Sequence, residues 1–369
     1  MCRSVDVRVV DWGIVGHELP FITNVVSAFR NEGLSVAVSL PNHVERLDAY
    51  RSLLVRFAQD DQVVFDPFRR VGGPVRPRRL HKFLTSFRTI LSIRQESALT
   101  SRLGSFYTTV SPYFNPQFGT TQSILGNIWA AHILHPSTQA DSISLECVKS
   151  LGSLSTCRGL GLTDERLVSP TNQRFLGSFK SFQFPEFADL SVSRTVECRD
   201  RPRCLLIGAL SSYKNVILFL EMAKLTPSVD FYLVGTLSRD QFSESEIRFI
   251  DDSIQLRNVV RIDRYLTDGA EFNDYIVNAD AVWLNYRSFE HSSNVQIKAN
   301  AFGIPCLVAG SGLVYYRRKL SDFVWTNREG MLDCLAAMKV LSNQMLGSEF
   351  QSDAQRTFID GLTETHFLR

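Results

Sequence analysis

Several short stretches put chemically useful residues where an apolar run gives way to helical spacing. In YRSFEHSSNVQIKANAFGIP, Tyr286 to Pro305, Glu290 stands just ahead of Ser292, Ser293 and Asn294. Any of those three can cap the helix that follows. The free amides of a helix start attract an anion. Glu290 cannot favour an anion, but a carboxylate accepts hydrogen bonds from hydroxyls such as those of a sugar. Its plain alternative is to complement the helix dipole. Asn294 and Lys298 lie four apart near that same positive end.

In IGALSSYKN, 207–215, an apolar run closes on Gly208, and Lys214 stands near the next helix start. A lysine beside free helical amides makes a phosphate site, with a point charge from one and donors from the other. The stretch is not a Walker loop, because Tyr213 and Asn215 flank the lysine where Gly and Ser or Thr are needed. The competing reading is an ordinary turn with an exposed lysine. In WGIVGHELPFI, Gly13 and Gly16 fall between a strand and a helix without the G-x-G-x-x-G spacing of a dinucleotide site. Two glycines still let a ligand approach the backbone closely. His17 beside them is a candidate binding group or a polar loop residue. In NIWAAHILHP, His132 falls inside an apolar run and reads as a satisfied core histidine. His135, just before Pro136, is the better candidate to face a ligand.

The elements that must hold these residues alternate. The first half reads as strand VDVRVVDWGI, helix LPFITNVVSAFRNEG, strand SVAVSLP, helix HVERLDAYRSLLVRFA, strand QVVFDPF and helix LHKFLTSFRTILSIRQ. Strands SFYTTVS and NIWAAHIL follow, and RLVSP is expected to close the sheet, with a short helix after it. From about Phe175 to Arg203 the periodicity stops, which marks an interdomain connection. Alternation resumes with strands RCLLIGAL, SVDFYLVG, NVVRID, DAVWLNY and PCLVAG. The helices between them are NVILFLEMAKL, ESEIRFIDDSIQL, AEFNDYIVNA and NVQIKANAFG. Strands alternating with helices give parallel sheets covered on both faces. The expectation is an α/β chain of two Rossmann-like domains facing across a cleft. An acceptor domain spans 1–177 and a donor domain 178–350, with a terminal helix over 351–369 that returns to the first domain.

The bulk composition agrees. A chain of 369 residues, 44% hydrophobic and 21% charged, is too long for one ordinary core. Its net charge of +2 sets up no global field toward nucleic acid or membrane, and no nucleic-acid recognition motif is present. No apolar run reaches transmembrane length, and Asp6 and Asp11 interrupt the N-terminal apolar stretch, so it does not read as a signal peptide. The seven cysteines are scattered without C-x-x-C, which fits reduced cytosolic thiols and neither a metal site nor a disulfide framework.

Together these pieces resemble the glycosyltransferases of the GT-B fold, most closely the family-4 group (glycosyl transferases group 1), over residues 203–310. Gly208 and Lys214 match the pair that binds the nucleotide diphosphate there, with Ala209 where arginine is usual. Glu290 matches the first glutamate of the family's Glu-x7-Glu motif, and Ala299, Gly303 and Pro305 match its trailing pattern. Lys298 replaces the second glutamate, which in the family holds the ribose. Gly13 and Gly16 fall at the family's glycine loop, and His135 near its active-site histidine, with His132 as the other match.

The resemblance implies a hexosyltransferase-type enzyme of glycan biosynthesis. It would move a sugar from a nucleotide-diphosphate sugar to an acceptor hydroxyl, retaining anomeric configuration, with no cofactor and no metal. Glu290 and His135 would then be catalytic. Gly208, Lys214, Ser292, Ser293, Asn294 and Lys298 would bind the diphosphate, with Lys298 restoring the charge that Ala209 lacks. Gly13, Gly16 and His17 would line the acceptor side. The expected partners are a sugar-nucleotide donor and a glycan or lipid-linked acceptor. Residues 69–94 carry eight Arg and Lys and no acidic residue, and the helical part has an apolar face. Such a segment suits an anionic membrane surface, or is simply a solvated face. The expected location is cytoplasmic, with peripheral contact at the inner face of the membrane. Sugar-nucleotide epimerases share the architecture and form one alternative. A degenerate, non-catalytic GT-B binding module forms the other.

Overall fold

The computed structural model describes residues 3–11, 18–68, 99–110, 122–133, 151, 153–168, 181–187, 190–192, 199–266, 269–287, 292–310, 312–319, 321–325, 327–339, 347–365 and 367–368. The chain forms two compact units, 1–187 with 351–369, and 188–350. Each is built on a parallel sheet, as two runs of alternating strand and helix require.

In the first unit the described strands are β1 (Arg3–Val10), β2 (Val36–Ser39), β3 (Val63–Phe65), β4 (Leu99–Val110), β5 (Trp129–Ile133), β6 (Cys157–Leu162) and β7 (Ser181–Gln183). They pair in the order β3-β2-β1-β4-β5-β6-β7. Helix Glu18–Asn31 buries Phe21, Val25 and Phe29 against this sheet. The terminal helix Gly347–Glu364 packs on the same face. Phe358 meets Phe29, Phe106 and Phe184 edge-on, with ring centroids 5.1–5.6 Å apart.

Three details differ from the reading of the sequence. HVERLDAYRSLLVRFA is not one helix: a short 3-10 turn over Asn42–Arg46 stops at the extended Leu47, and an α-helix runs over Asp48–Arg56. RLVSP does not close the sheet, since Glu165–Val168 is helical. Closure is by β6 and β7, whose register is Leu160 to Ser181 through Leu162 to Gln183. β6 contains Gly159 and Gly161, which lower strand propensity and hide the strand in the sequence. Both are needed for space. A Cβ on Gly159 would fall 2.7 Å from Thr365 Oγ1, and one on Gly161 2.9 Å from the Phe184 ring. The first unit also extends past the expected 177/178 boundary, because Phe182, Phe184 and Phe187 lie in its core.

In the second unit the described strands are β8 (Arg203–Ile207), β9 (Asp230–Val234), β10 (Val259–Ile262), β11 (Ala281–Leu284), β12 (Cys306–Ala309) and β13 (Phe323–Trp325), in the order β10-β9-β8-β11-β12-β13. Strands covered on both faces read as continuous apolar runs. Accordingly Cys204 and Leu206 of β8 enter a core with helix Val216–Leu225. Leu205 and Ile207 enter the opposite core, with helix Asn294–Ala301. The β13 strand and helices Gly312–Tyr316 and Arg328–Ala337 complete the unit.

Candidate functional site

The strand order of the second unit reverses between β8 and β11. The chain leaves β8 toward β9 and β10 on one side, and leaves β11 toward β12 and β13 on the other. Helices therefore diverge at this point and open a crevice at the carboxyl ends of β8 and β11, the place where such sheets bind ligands. The turn after β8 carries Gly208 and Lys214, and the segment after β11 leads to Ser292, Ser293 and Asn294.

Lys214 is not an exposed turn lysine: it is 6% exposed. Its Nζ donates to the carbonyl of Ile207 at 2.6 Å and lies 5.7 Å from the centre of the Tyr286 ring. Among the described residues no carboxylate pairs with it. Burial pulls its pKa down to about 8, so it stays mostly protonated at neutral pH. Gly208 makes the room. Its φ of +99° disfavours any side chain, and a Cβ there would fall 2.8 Å from Lys214 Nζ.

The turn is fastened to β11 across the crevice. The Arg287 amide donates to the Tyr213 carbonyl at 2.7 Å, and Trp283 Nε1 donates to the Lys214 carbonyl at 3.3 Å. Tyr213 packs edge-on against Tyr286, and burial pushes the Tyr286 phenol well up, so it stays neutral. These ties are not legible in the sequence, where Trp283 reads only as an apolar strand residue.

Two helices begin at the crevice, and neither is capped by the side chain in position to do so. Asn215 precedes helix Val216–Leu225 in a left-handed conformation (φ 59°) and makes no cap bond. Ser293 precedes helix Asn294–Ala301 and also makes none; its Oγ lies 3.4 Å from the Tyr286 hydroxyl. Elsewhere in the unit, Ser243 and Glu246 form a complete capping box and Asn327 caps Gly330. Two helix starts without a side-chain cap beside a buried lysine are the kind of place that suits an anion. Ser292 Oγ accepts from Arg317 Nη1 at 3.2 Å, which brings a cation from beyond β12 to the second helix start. The sequence reading missed Arg317, since only the fold brings it there.

Lys298 is placed differently. It is 0% exposed, and its Nζ donates to Asn273 Oδ1 at 2.5 Å and lies 5.6 Å from the Phe272 ring centre. In the first unit His132 is a buried core histidine, as read. Its Nδ1 lies 2.9 Å from the Thr108 carbonyl, which can only accept, so Nδ1 carries the proton. Its Nε2 lies 2.6 Å from Thr163 Oγ1, and its ring stacks on Phe184 at 4.0 Å. Thr108 in turn donates to Asp11 at the end of β1. Glu290, His135, Gly13, Gly16, His17 and residues 69–94 lie outside the described residues. Among the described residues, no group of three or more His, Cys, Asp or Glu is arranged to hold a metal, and no helix is long and apolar enough to cross a membrane.

No family model matches the sequence, and no curated protein does. Solved structures do match. The chain is similar to Anabaena Alr3699/HepE in complex with UDP and glucose, at 13% identity and a TM-score of 0.63, covering 98% of each chain. It is similar to a glycosyltransferase from Rickettsia africae at 11% identity and a TM-score of 0.59, covering 99% of this chain and 96% of that one. It is also similar to a UDP-N-acetylglucosamine 2-epimerase at 8% identity and a TM-score of 0.62, covering 100% and 97%. At these identities the likeness establishes the fold: two Rossmann-like units of the GT-B type.

Proposed function

We propose that the chain is a glycosyltransferase that moves a sugar from a nucleoside-diphosphate sugar to an acceptor hydroxyl. The observation that carries this reading is the buried ammonium of Lys214, without a carboxylate partner among the described residues, at the β8/β11 crevice between two helix starts that lack a side-chain cap. A diphosphate is the anion that such a cradle suits. The GT-B fold, shared with HepE in its UDP complexes and with the Rickettsia enzyme, supports the same reading.

In the reaction the acceptor oxygen bonds to the anomeric carbon and passes its proton to the departing diphosphate oxygen. The bond from that carbon to the phosphate oxygen breaks, and its electron pair leaves with the diphosphate. Lys214 and the helix amides stabilise that developing charge, a task that needs no metal. Retention of configuration, a hexosyl donor and family-4 character are part of the proposal. They are supported by the match of Gly208, Lys214, Glu290, Ala299, Gly303 and Pro305 to that family's motifs. Within it Glu290 orients sugar hydroxyls, and His135 or His17 contacts sugar or acceptor. Gly13 and Gly16 line the acceptor side, and 69–94 meets an anionic membrane surface at the cytoplasmic face.

The test is thermal stability with UDP, GDP, ADP, CMP and their sugar conjugates. A ligand at 100 times its Kd adds about 2.7 kcal/mol, roughly a 5–10 °C shift for a unit of this size. A selective shift is expected; no shift in a folded sample contradicts the donor site. The likeness to an epimerase favours a second reading. It predicts a new sugar nucleotide formed with no acceptor present, where a transferase needs the acceptor.

A further inference from the structure

We propose that Ser211 Oγ and Asn285 Nδ2 donate hydrogen bonds directly to the phosphate groups of the ligand held by Lys214, an inference that rests on the donor-site reading above. Ser211 is 5% exposed and Asn285 3%, and neither of these atoms has a hydrogen-bond partner. Buried donors in native proteins are nearly always paired, so an orphan points to something that binds there. Here Asn285 directly follows β11 and Ser211 opens the Lys214 turn after β8, the two adjacent strands at the switch point.

Their placement follows from the strands. Ala281 and Trp283 of β11 pack in the core shared with Val216 and Phe219, whereas Val282, Leu284 and Tyr286 belong to the opposite core. Side chains alternate along a strand, so Asn285 continues the face of Trp283, whose indole reaches the Lys214 carbonyl. Ser211 opens the same Lys214 turn and makes no cap bond to it. Asn285 thus lies on the sheet face of helix Val216–Leu225, and Ser211 opens the turn that leads into that helix. Each offers an uncharged donor, which suits a phosphate oxygen. A third buried orphan at this helix start, Asn215 Oδ1, is an acceptor and suits a ligand hydroxyl instead.

The rival explanation is an ordered water that pairs both donors in the ligand-free protein. Two readouts on the full chain separate the two: the melting temperature without ligand, and the Kd for UDP, GDP and ADP, for wild type, Ser211→Ala and Asn285→Leu, with Asn285→Ala should the leucine variant not fold. Donors to phosphate predict an unchanged or higher ligand-free melting temperature, because an unpaired buried group is gone, and a Kd weaker by roughly tenfold or more. A lower ligand-free melting temperature with unchanged Kd supports the water and overturns the inference. Wild type that binds none of the three overturns the donor-site reading and this inference with it. Wild type that binds, with variants binding as tightly, overturns this inference alone.

Discussion

The second unit buries two lysines, and their surroundings differ. Lys298 is fully enclosed and its ammonium meets a side-chain oxygen, Asn273 Oδ1. Asn273 itself donates to the Ser191 carbonyl, so the lysine belongs to a buried polar chain between helices. Lys214 has a backbone carbonyl as its acceptor and an aromatic face beside it. It stands at the strand ends where the sheet opens. A buried charge is costly unless it is paired. The protein keeps one at Lys214, in the one position of the sheet where its topology invites a ligand. Burial alone does not single out Lys214; its place at the strand ends does.

The contrast can be broken by substitution. Lys214→Ala is expected to have the largest effect, a roughly 100- to 1,000-fold loss of turnover and loss of nucleotide-dependent stabilisation, with little loss of ligand-free stability. Steady-state kinetics and melting curves check both. Lys298→Ala is expected to do the reverse. It leaves Asn273 Oδ1 without its partner and opens a cavity, costing roughly 2–4 kcal/mol in urea unfolding, while the folded protein still binds nucleotide. Lys298→Met, which keeps the volume, is expected to cost less.

Lys214 can also be followed by pH. Lys214 titrates near 8 when folded, below the ordinary lysine value of 10.5. Between those values the unfolded chain holds more protons than the folded one, so this group's contribution to stability rises with pH. Its burial cost is fully present below about pH 8. Nucleotide affinity follows the opposite course and falls as pH rises through about 8, because the ammonium is what binds. Calorimetry from pH 7 to 9 on wild type and Lys214→Ala measures this, and a slope that survives in the variant assigns it elsewhere. The smallest effect is expected for Trp283→Phe, which keeps the ring and removes the N–H to the Lys214 carbonyl. About 1 kcal/mol, seen as a few-fold weaker nucleotide binding, is the expected result.

Much of the fold was legible because parallel strands buried on both faces are continuous apolar runs. RCLLI, DFYLV and AVWL could be read from composition alone. β6 could not, because Gly159 and Gly161 answer to Thr365 and Phe184, contacts with residues far along the chain. β7 was taken for linker, since three residues carry no period; its aromatic residues show their role only in the assembled core. At the site, Gly208 and Lys214 were legible from a strand, a turn and a helix in succession. Arg317, Trp283, Ser211 and Asn285 were not. Each acts across the crevice or lacks a partner there, and neither fact is local in sequence. The burial of Lys298 was hidden for the same reason, since its partner Asn273 lies on another helix.

The most direct test compares nucleotide-dependent melting shifts of wild type, Lys214→Ala and Lys298→Met across UDP, GDP and ADP. A shift in wild type and Lys298→Met that vanishes in Lys214→Ala is the expected result. A shift that persists in Lys214→Ala, or one lost in Lys298→Met while the protein remains folded, would contradict the assignment of Lys214 as the diphosphate-binding cation.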